Sequence, residues 1–213
     1  ANDGWTLDDV RLRISTYDGI GAELLRDNLI DFLSEVIPTA ERLGLRLCCH
    51  PDDPPFSLLG LPRVMSSQQD YKQVINAVDT IANGVTLCTG SLGVNADFDA
   101  AEFVHCFGPK IHFAHLRNTK RLLSPDPSRP HFFESAHLEG DTDMVVTIAA
   151  LMMEEKRRRL EGRSDHAIPM RPDHGQELLG DQDNISLPGY PLIGRMRGLA
   201  ELRGIMAAVG VLT

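Results

Sequence analysis

Arg171-Pro172-Asp173-His174-Gly175 sets a carboxylate beside an imidazole at the end of a short apolar run, Ala167-Ile168-Pro169-Met170, with a glycine turn after it. In α/β enzymes the carboxyl ends of buried strands carry the reacting groups. Three further apolar runs close in the same way: Leu45 to Cys49 on His50, Val85 to Leu87 on Cys88, and Lys110 to Ala114 on His115. Two imidazoles, a thiol and a carboxylate at four strand ends form a plausible ligand set for a divalent transition metal. Its mixed N, S and O donors suit Fe²⁺, Mn²⁺ or Zn²⁺ better than Mg²⁺. His174, next to Asp173, is better placed for proton transfer than for the same ion.

Each of these residues also has a plain structural role open to it. His50 precedes the rigid acidic stretch Pro51-Asp52-Asp53-Pro54-Pro55 and could cap its turn; Cys88 could be a small buried hydrophobe. His115 is preferred to His112 because it shares a strand face with Phe113, two positions earlier, while His112 alternates to the other face. His137 and Asp141, in His137-Leu138-Glu139-Gly140-Asp141, read either as outer support for the site or as helix-capping groups, with capping preferred.

The elements that would position these groups alternate between helix and strand. Thr6-Leu7-Asp8-Asp9 starts a helix; apolar pairs at 24/25, 29/30, 32/33 and 36/37 predict another over about 23–43, bent at Pro38 and closed by Gly44. Strand 45–49, helix 68–82 behind Ser66-Ser67, strand 85–87, helix 97–107 and strand 111–114 follow. A fourth strand, 132–136, ends at His137; Asp141 caps a helix over 144–160; a fifth strand reaches Arg171; and an amphipathic helix fills about 193–209. Without hairpin signals, this pattern predicts a parallel α/β sheet.

The strand-end spacings from 50 to 88, 115, 137 and 173 are 38, 27, 22 and 36 residues. Their mean, about 31, is the unit size of an eight-unit (β/α)₈ TIM barrel. Functional residues on successive strand ends favour that barrel over a doubly wound sheet. Five strands are fewer than the eight a closed barrel needs, and the chain opens Ala1-Asn2-Asp3-Gly4 without an initiator Met. The expectation is one domain over residues 1–213 that holds the C-terminal five β/α units. It would be an open, partial barrel lacking three N-terminal units, with the gap facing the site.

Composition bounds the partners. A net charge of −9 disfavours a nucleic-acid backbone, and Lys156-Arg157-Arg158-Arg159 reads as a solvated helix end. The longest apolar stretch, 144–153, is about half a membrane span, and no signal peptide opens the chain. Four cysteines, two of them adjacent, make no disulfide framework and point to a reducing cytoplasm. No strand ends in Lys for Schiff-base chemistry, no glycine-rich phosphate loop follows a strand, and no Gly-x-Ser-x-Gly elbow is present.

His50 to Pro55, Cys88-Thr89-Gly90-Ser91, His115-Leu116-Arg117, Ala136 to Asp141, Met170 to Gly175, Pro188-Gly189-Tyr190, Ile193-Gly194-Arg195 and Gly198 to Gly204, in that order, closely resemble the mannonate dehydratase family. The likeness is collinear over almost the whole chain. It implies a xylose-isomerase-like TIM barrel that removes water from D-mannonate to give 2-dehydro-3-deoxy-D-gluconate in hexuronate catabolism. The resemblance implies Mn²⁺ or Fe²⁺ held by His50, Cys88, His115 and Asp173, with His174 and Tyr190 as the acid–base pair. It also implies a small sugar-acid substrate; a homodimer or higher homo-oligomer is expected. Where the family has Asn before Pro-Gly-Tyr, this chain has Leu187. The competing readings are a metal-dependent sugar isomerase or epimerase on the same barrel, and a non-catalytic partial barrel.

Overall fold

The computed structural model describes residues 4–184 and 186–212. Its first helices follow their sequence signals. In α1 (Leu7–Ser15) the Thr6 hydroxyl accepts from the Asp9 backbone N–H and the Asp9 carboxylate accepts from the Thr6 N–H, a reciprocal cap. α2 (Ala22–Arg42) runs through Pro38 and closes at Gly44, whose φ of +69° suits a residue without a Cβ.

Six strands follow among the described residues: β1 (Leu47–Cys49), β2 (Asn83–Cys88), β3 (Ile111–His115), β4 (Thr119–Leu122), β5 (His131–Glu134) and β6 (Met170–Arg171). Four of them form a parallel sheet in the order β1-β2-β3-β6. β2 is buried along its whole length, as a strand covered on both faces must be. The remaining helices are α3 (Gln68–Ala77), α4 (Thr89–Leu92), α5 (Ala100–Phe107), α6 (Met144–Leu160) and α7 (Leu192–Leu212). Their inner faces join the strands in one core that includes Tyr71, Val74, Leu87, Phe103, Ile111, Ile148, Leu151 and Leu202. No described helix is long and apolar enough to cross a membrane.

The largest correction concerns the expected fourth barrel strand at 132–136. β5 pairs antiparallel with β4, outside the parallel sheet, so the sequence holds a hairpin, joined through the proline-rich stretch Ser124 to Pro130, where a parallel strand is expected. The physical reason is that β5 alternates exposed and half-buried residues and buries neither face, unlike the central strands β2 and β3. The parallel sheet therefore has four strands, and β1 and β6 each have one neighbour among the described residues.

Smaller corrections are local. α3 stops at Ala77, short of 82, because Val78 leaves helical geometry and its carbonyl accepts from the Asn83 side chain at the start of β2. Asp99, not Asp97, caps α5. Asp143, not Asp141, caps α6, accepting from the Val145 and Val146 N–H groups at 3.0 Å. Asp141 instead accepts from the Arg121 N–H on β4.

α6 is tied to the sheet by a buried cation. Arg158 Nε donates to Glu154 Oε1 at 2.8 Å, and its Nη2 donates to the carbonyls of Ile111, at 2.7 Å, and Gly108. Arg158→Ala should lower unfolding free energy by about 2–4 kcal/mol in a denaturant titration, because those carbonyls lose their donor inside the protein. A loss below about 1 kcal/mol would show that water replaces the guanidinium.

Candidate metal centre and active site

Sheet register aligns the chemistry. Cys88 ends β2 opposite His115 at the end of β3, and His115 lies opposite Arg171 at the end of β6. His50 follows β1 directly, and Asp173 stands two residues beyond β6. The ligand atoms of His50, Cys88 and His115 all lie within 4.8 Å of one another. That is about twice a metal–ligand bond of roughly 2.0–2.3 Å. Asp173 falls outside this threesome, but its Oδ2 is 3.6 Å from His115 Nδ1. Cys88, His115 and Asp173 are buried, and His50 is exposed at the rim. His112, on the other strand face, bonds the Ile81 carbonyl through Nε2 and takes no part.

The donor set fits a divalent metal. His50 Nδ1 sits 2.7 Å from the Pro51 carbonyl, which can only accept; the Nδ1–H donates there, and Nε2 is left with its lone pair facing His115 Nδ1 at 3.1 Å. Two imidazole nitrogens and a thiol thus turn toward one point. Burial pushes the Cys88 thiol up to about 12. Burial also pushes His115 down to about 4, against the pull of Asp173 and with help from Arg171 and His50. Without a cation the cluster is a thiol and a neutral imidazole. A dication would favour the thiolate.

Asp173 is held in an unusual backbone state, with φ of +62°. That region costs a non-glycine residue free energy and persists only under restraint. Two side chains supply the restraint: buried His137 Nε2 donates to the Pro172 carbonyl at 2.7 Å, and Arg195 Nε donates to the Asp173 carbonyl at 2.8 Å. His137 is thus a prop for the Asp173 segment and not a helix cap. Its ring leaves no room for a Cβ at Gly198, which would lie 2.2 Å from His137 Cε1. The Asp173 side chain pairs with Arg171 Nη2 at 2.7 Å.

His174 and Tyr190 come together beside this cluster, with ring centroids 4.9 Å apart and edge to face. Tyr190 is placed by the turn Leu187-Pro188-Gly189-Tyr190, closed by a 2.9 Å bond from the Tyr190 N–H to the Leu187 carbonyl. Pro188 and Gly189, the latter with φ of +83°, are what a type II turn requires. Leu187 is exposed and supplies the turn through its carbonyl, so a different side chain there leaves the closing bond in place.

Sequence reasoning misses one group that reaches His174. Glu134 Oε1 lies 2.8 Å from His174 Nδ1, and Arg117 Nε contacts both Glu134 oxygens at 2.9 and 3.0 Å. Arg117 is buried and its Nη1 also donates to Asp53 Oδ2 at 2.6 Å. Burial raises the Glu134 carboxyl, but the hydrogen bonds from His174 and Arg117 outweigh it and hold the group below its ordinary value. A charged residue closing the apolar pair Phe132-Phe133 is the available signal. It is hidden when the strand is extended to Ala136.

Similarity to known proteins bears on the whole chain. The family model described as D-mannonate dehydratase (UxuA) matches residues 1–212. A mannonate dehydratase of Rhizobium meliloti (strain 1021) is 55% identical over 207 residues, 97% of this chain and 51% of that protein. The crystal structure of mannonate dehydratase from Streptococcus suis serotype2 superposes with a TM-score of 0.77 at 32% identity, covering 89% of this chain and 50% of that one. A xylose isomerase domain protein from Planctomyces limnophilus, at 11% identity and a TM-score of 0.54, covers 86% of this chain and 53% of that one. With the parallel sheet, these likenesses give an α/β TIM-like fold. The chain spans about half the length of the curated relatives it matches.

Proposed function

The chain belongs to the D-mannonate dehydratase (UxuA) family, and from that membership we propose that it carries the metal-binding and acid–base half of an enzyme that removes water from D-mannonate. The observation that carries the reading is the cluster of His50, Cys88 and His115 at adjoining strand ends. We assign metal binding to these three and to Asp173, the metal being Mn²⁺ or Fe²⁺, and acid–base work to His174 and Tyr190. Residues 1–213 are read as one domain, the C-terminal part of a barrel whose remaining strands lie in the other half of the family's length. The proposed setting is the cytoplasm, and the proposed assembly a homodimer or higher homo-oligomer.

The substrate's C2 proton is only weakly acidic, since the neighbouring carboxylate already carries charge. A divalent cation, held by His50, Cys88, His115 and Asp173, would supply electron withdrawal that makes the C2 proton easier to remove. The protein residues handle the protons. One of His174 and Tyr190 accepts the C2 proton, and the other donates a proton to the departing 3-hydroxyl. The C2–H and C3–O bonds break, a C2–C3 double bond forms, and water leaves.

The test is mass analysis of D-mannonate incubated with the Mn²⁺-loaded protein that includes the remaining barrel strands. A product lighter by one water supports the dehydratase; an isomer of unchanged mass would point to the isomerase or epimerase reading. Metal binding itself depends on the Asp173 segment being held. His137→Ala should weaken Mn²⁺ binding by about 10–100-fold in a calorimetric titration, by releasing the Pro172 carbonyl. Unchanged affinity would remove His137 from that role.

A further inference from the structure

We propose that Glu134 is the positioning residue for His174: its carboxylate fixes which ring nitrogen carries the proton and which way the ring faces. The proposal rests on reading His174 as an acid–base residue. A carboxylate only accepts hydrogen bonds, so at 2.8 Å from Glu134 Oε1 the His174 Nδ1 must be the protonated nitrogen. Nε2 is then the atom free to exchange a proton with substrate. Without that bond the neutral ring can carry its proton on either nitrogen, and one of the two forms has no base at Nε2.

The surroundings make Glu134 a fixed partner. Arg117 grips both of its oxygens through Nε and adds Nη2 to Oε1. The guanidinium is in turn anchored on Asp53, and a Cβ at Gly90 would lie 2.3 Å from Arg117 Cγ, so the helix after Cys88 packs tightly on the arginine stem. The backbone is pinned from two sides. The Glu134 carbonyl accepts from Gln176 Nε2 at 2.9 Å, and the next residue, Ser135, donates its N–H to the Asn118 carbonyl at 3.0 Å. Gly189 also packs on the ring, so closely that a Cβ there would stand 3.1 Å from His174 Nδ1. The β4–β5 hairpin adds nothing to the parallel sheet, but it delivers this carboxylate to the histidine. It ends in Glu134, paired with Thr119 two residues beyond Arg117.

Glu134 could act only as the counter-ion of Arg117, and the experiment separates the two roles. In the metal-free protein at alkaline pH, ¹⁵N NMR of the histidine rings should show the His174 proton on Nδ1. A His174 proton on Nε2 would overturn the proposal with no variant needed. In the Mn²⁺-loaded protein, Glu134→Gln should lower kcat on D-mannonate on the order of 10²-fold, with KM and metal content within about twofold of the parent. Because Gln can donate to Nδ1, the same variant should also shift His174 toward the Nε2–H form. Retention of kcat within about threefold, alongside an inactive His174→Asn, would leave Glu134 as a counter-ion only. Full turnover in His174→Asn would remove the acid–base reading beneath the proposal, while the Nδ1 proton would still decide whether Glu134 sets the ring.

Discussion

His174→Asn is expected to lower kcat on D-mannonate by about 10²–10⁴-fold while Mn²⁺ content stays at the parent value. Asparagine keeps a donor near the Glu134 carboxylate but has no group that can hold and return a proton at neutral pH. The ring supplies no ligand atom to the cluster of His50, Cys88 and His115, whose own ligand atoms lie within 4.8 Å of one another. Chemistry and metal retention should therefore separate. Measuring both on one preparation checks the division of labour between Asp173 and His174. If the variant instead loses its metal and regains turnover when excess Mn²⁺ is supplied, the two adjacent residues have been given each other's roles.

The second large effect lies in metal binding and its pH dependence. Cys88→Ser should reduce affinity for Zn²⁺ by at least about 100-fold, because a hydroxyl stays protonated where a thiolate binds. In the parent protein the metal must displace the thiol proton, and burial has pushed that thiol up to about 12. His115, pushed down to about 4, is already neutral above about pH 5 and releases nothing there. Affinity should therefore rise at least about tenfold per pH unit through the neutral range, with the sign set by Cys88 losing a proton on binding. The Cys88→Ser variant should lose this one-proton slope. Zinc titrations at three pH values, with parent and variant side by side, give both numbers. A pH-independent affinity in the parent would mean that the thiol is not a ligand.

Much of the site is legible in the sequence because it sits where periodicity is strongest. His50, Cys88 and His115 each close a short apolar run, and parallel register then carries those ends to the same level. The choice of His115 over His112 follows from strand alternation alone. Tyr190 has no such signal; it comes through the resemblance, because a turn contact between 187 and 190 leaves no periodic trace. The hairpin escapes for a related reason. Phe132-Phe133 followed by Ala136 and His137 reads as one more apolar run closing on an imidazole, so β5 looks like a parallel strand, and Glu134 vanishes into the middle of a run that in fact ends on it. The range 144–160 holds for α6, but the caps of α5 and α6 are each placed two residues early, because acidic residues stand at 97, 99, 141 and 143, and only geometry shows which one meets the helix N–H groups.

X-ray absorption at the zinc edge of the Zn²⁺-loaded protein tests the metal assignment most directly. One sulfur at about 2.3 Å with two imidazole nitrogens and an oxygen at about 2.0–2.2 Å is the expected shell. The sulfur should disappear in Cys88→Ser. A shell of nitrogen and oxygen alone in the parent protein would contradict a centre built on His50, Cys88, His115 and Asp173.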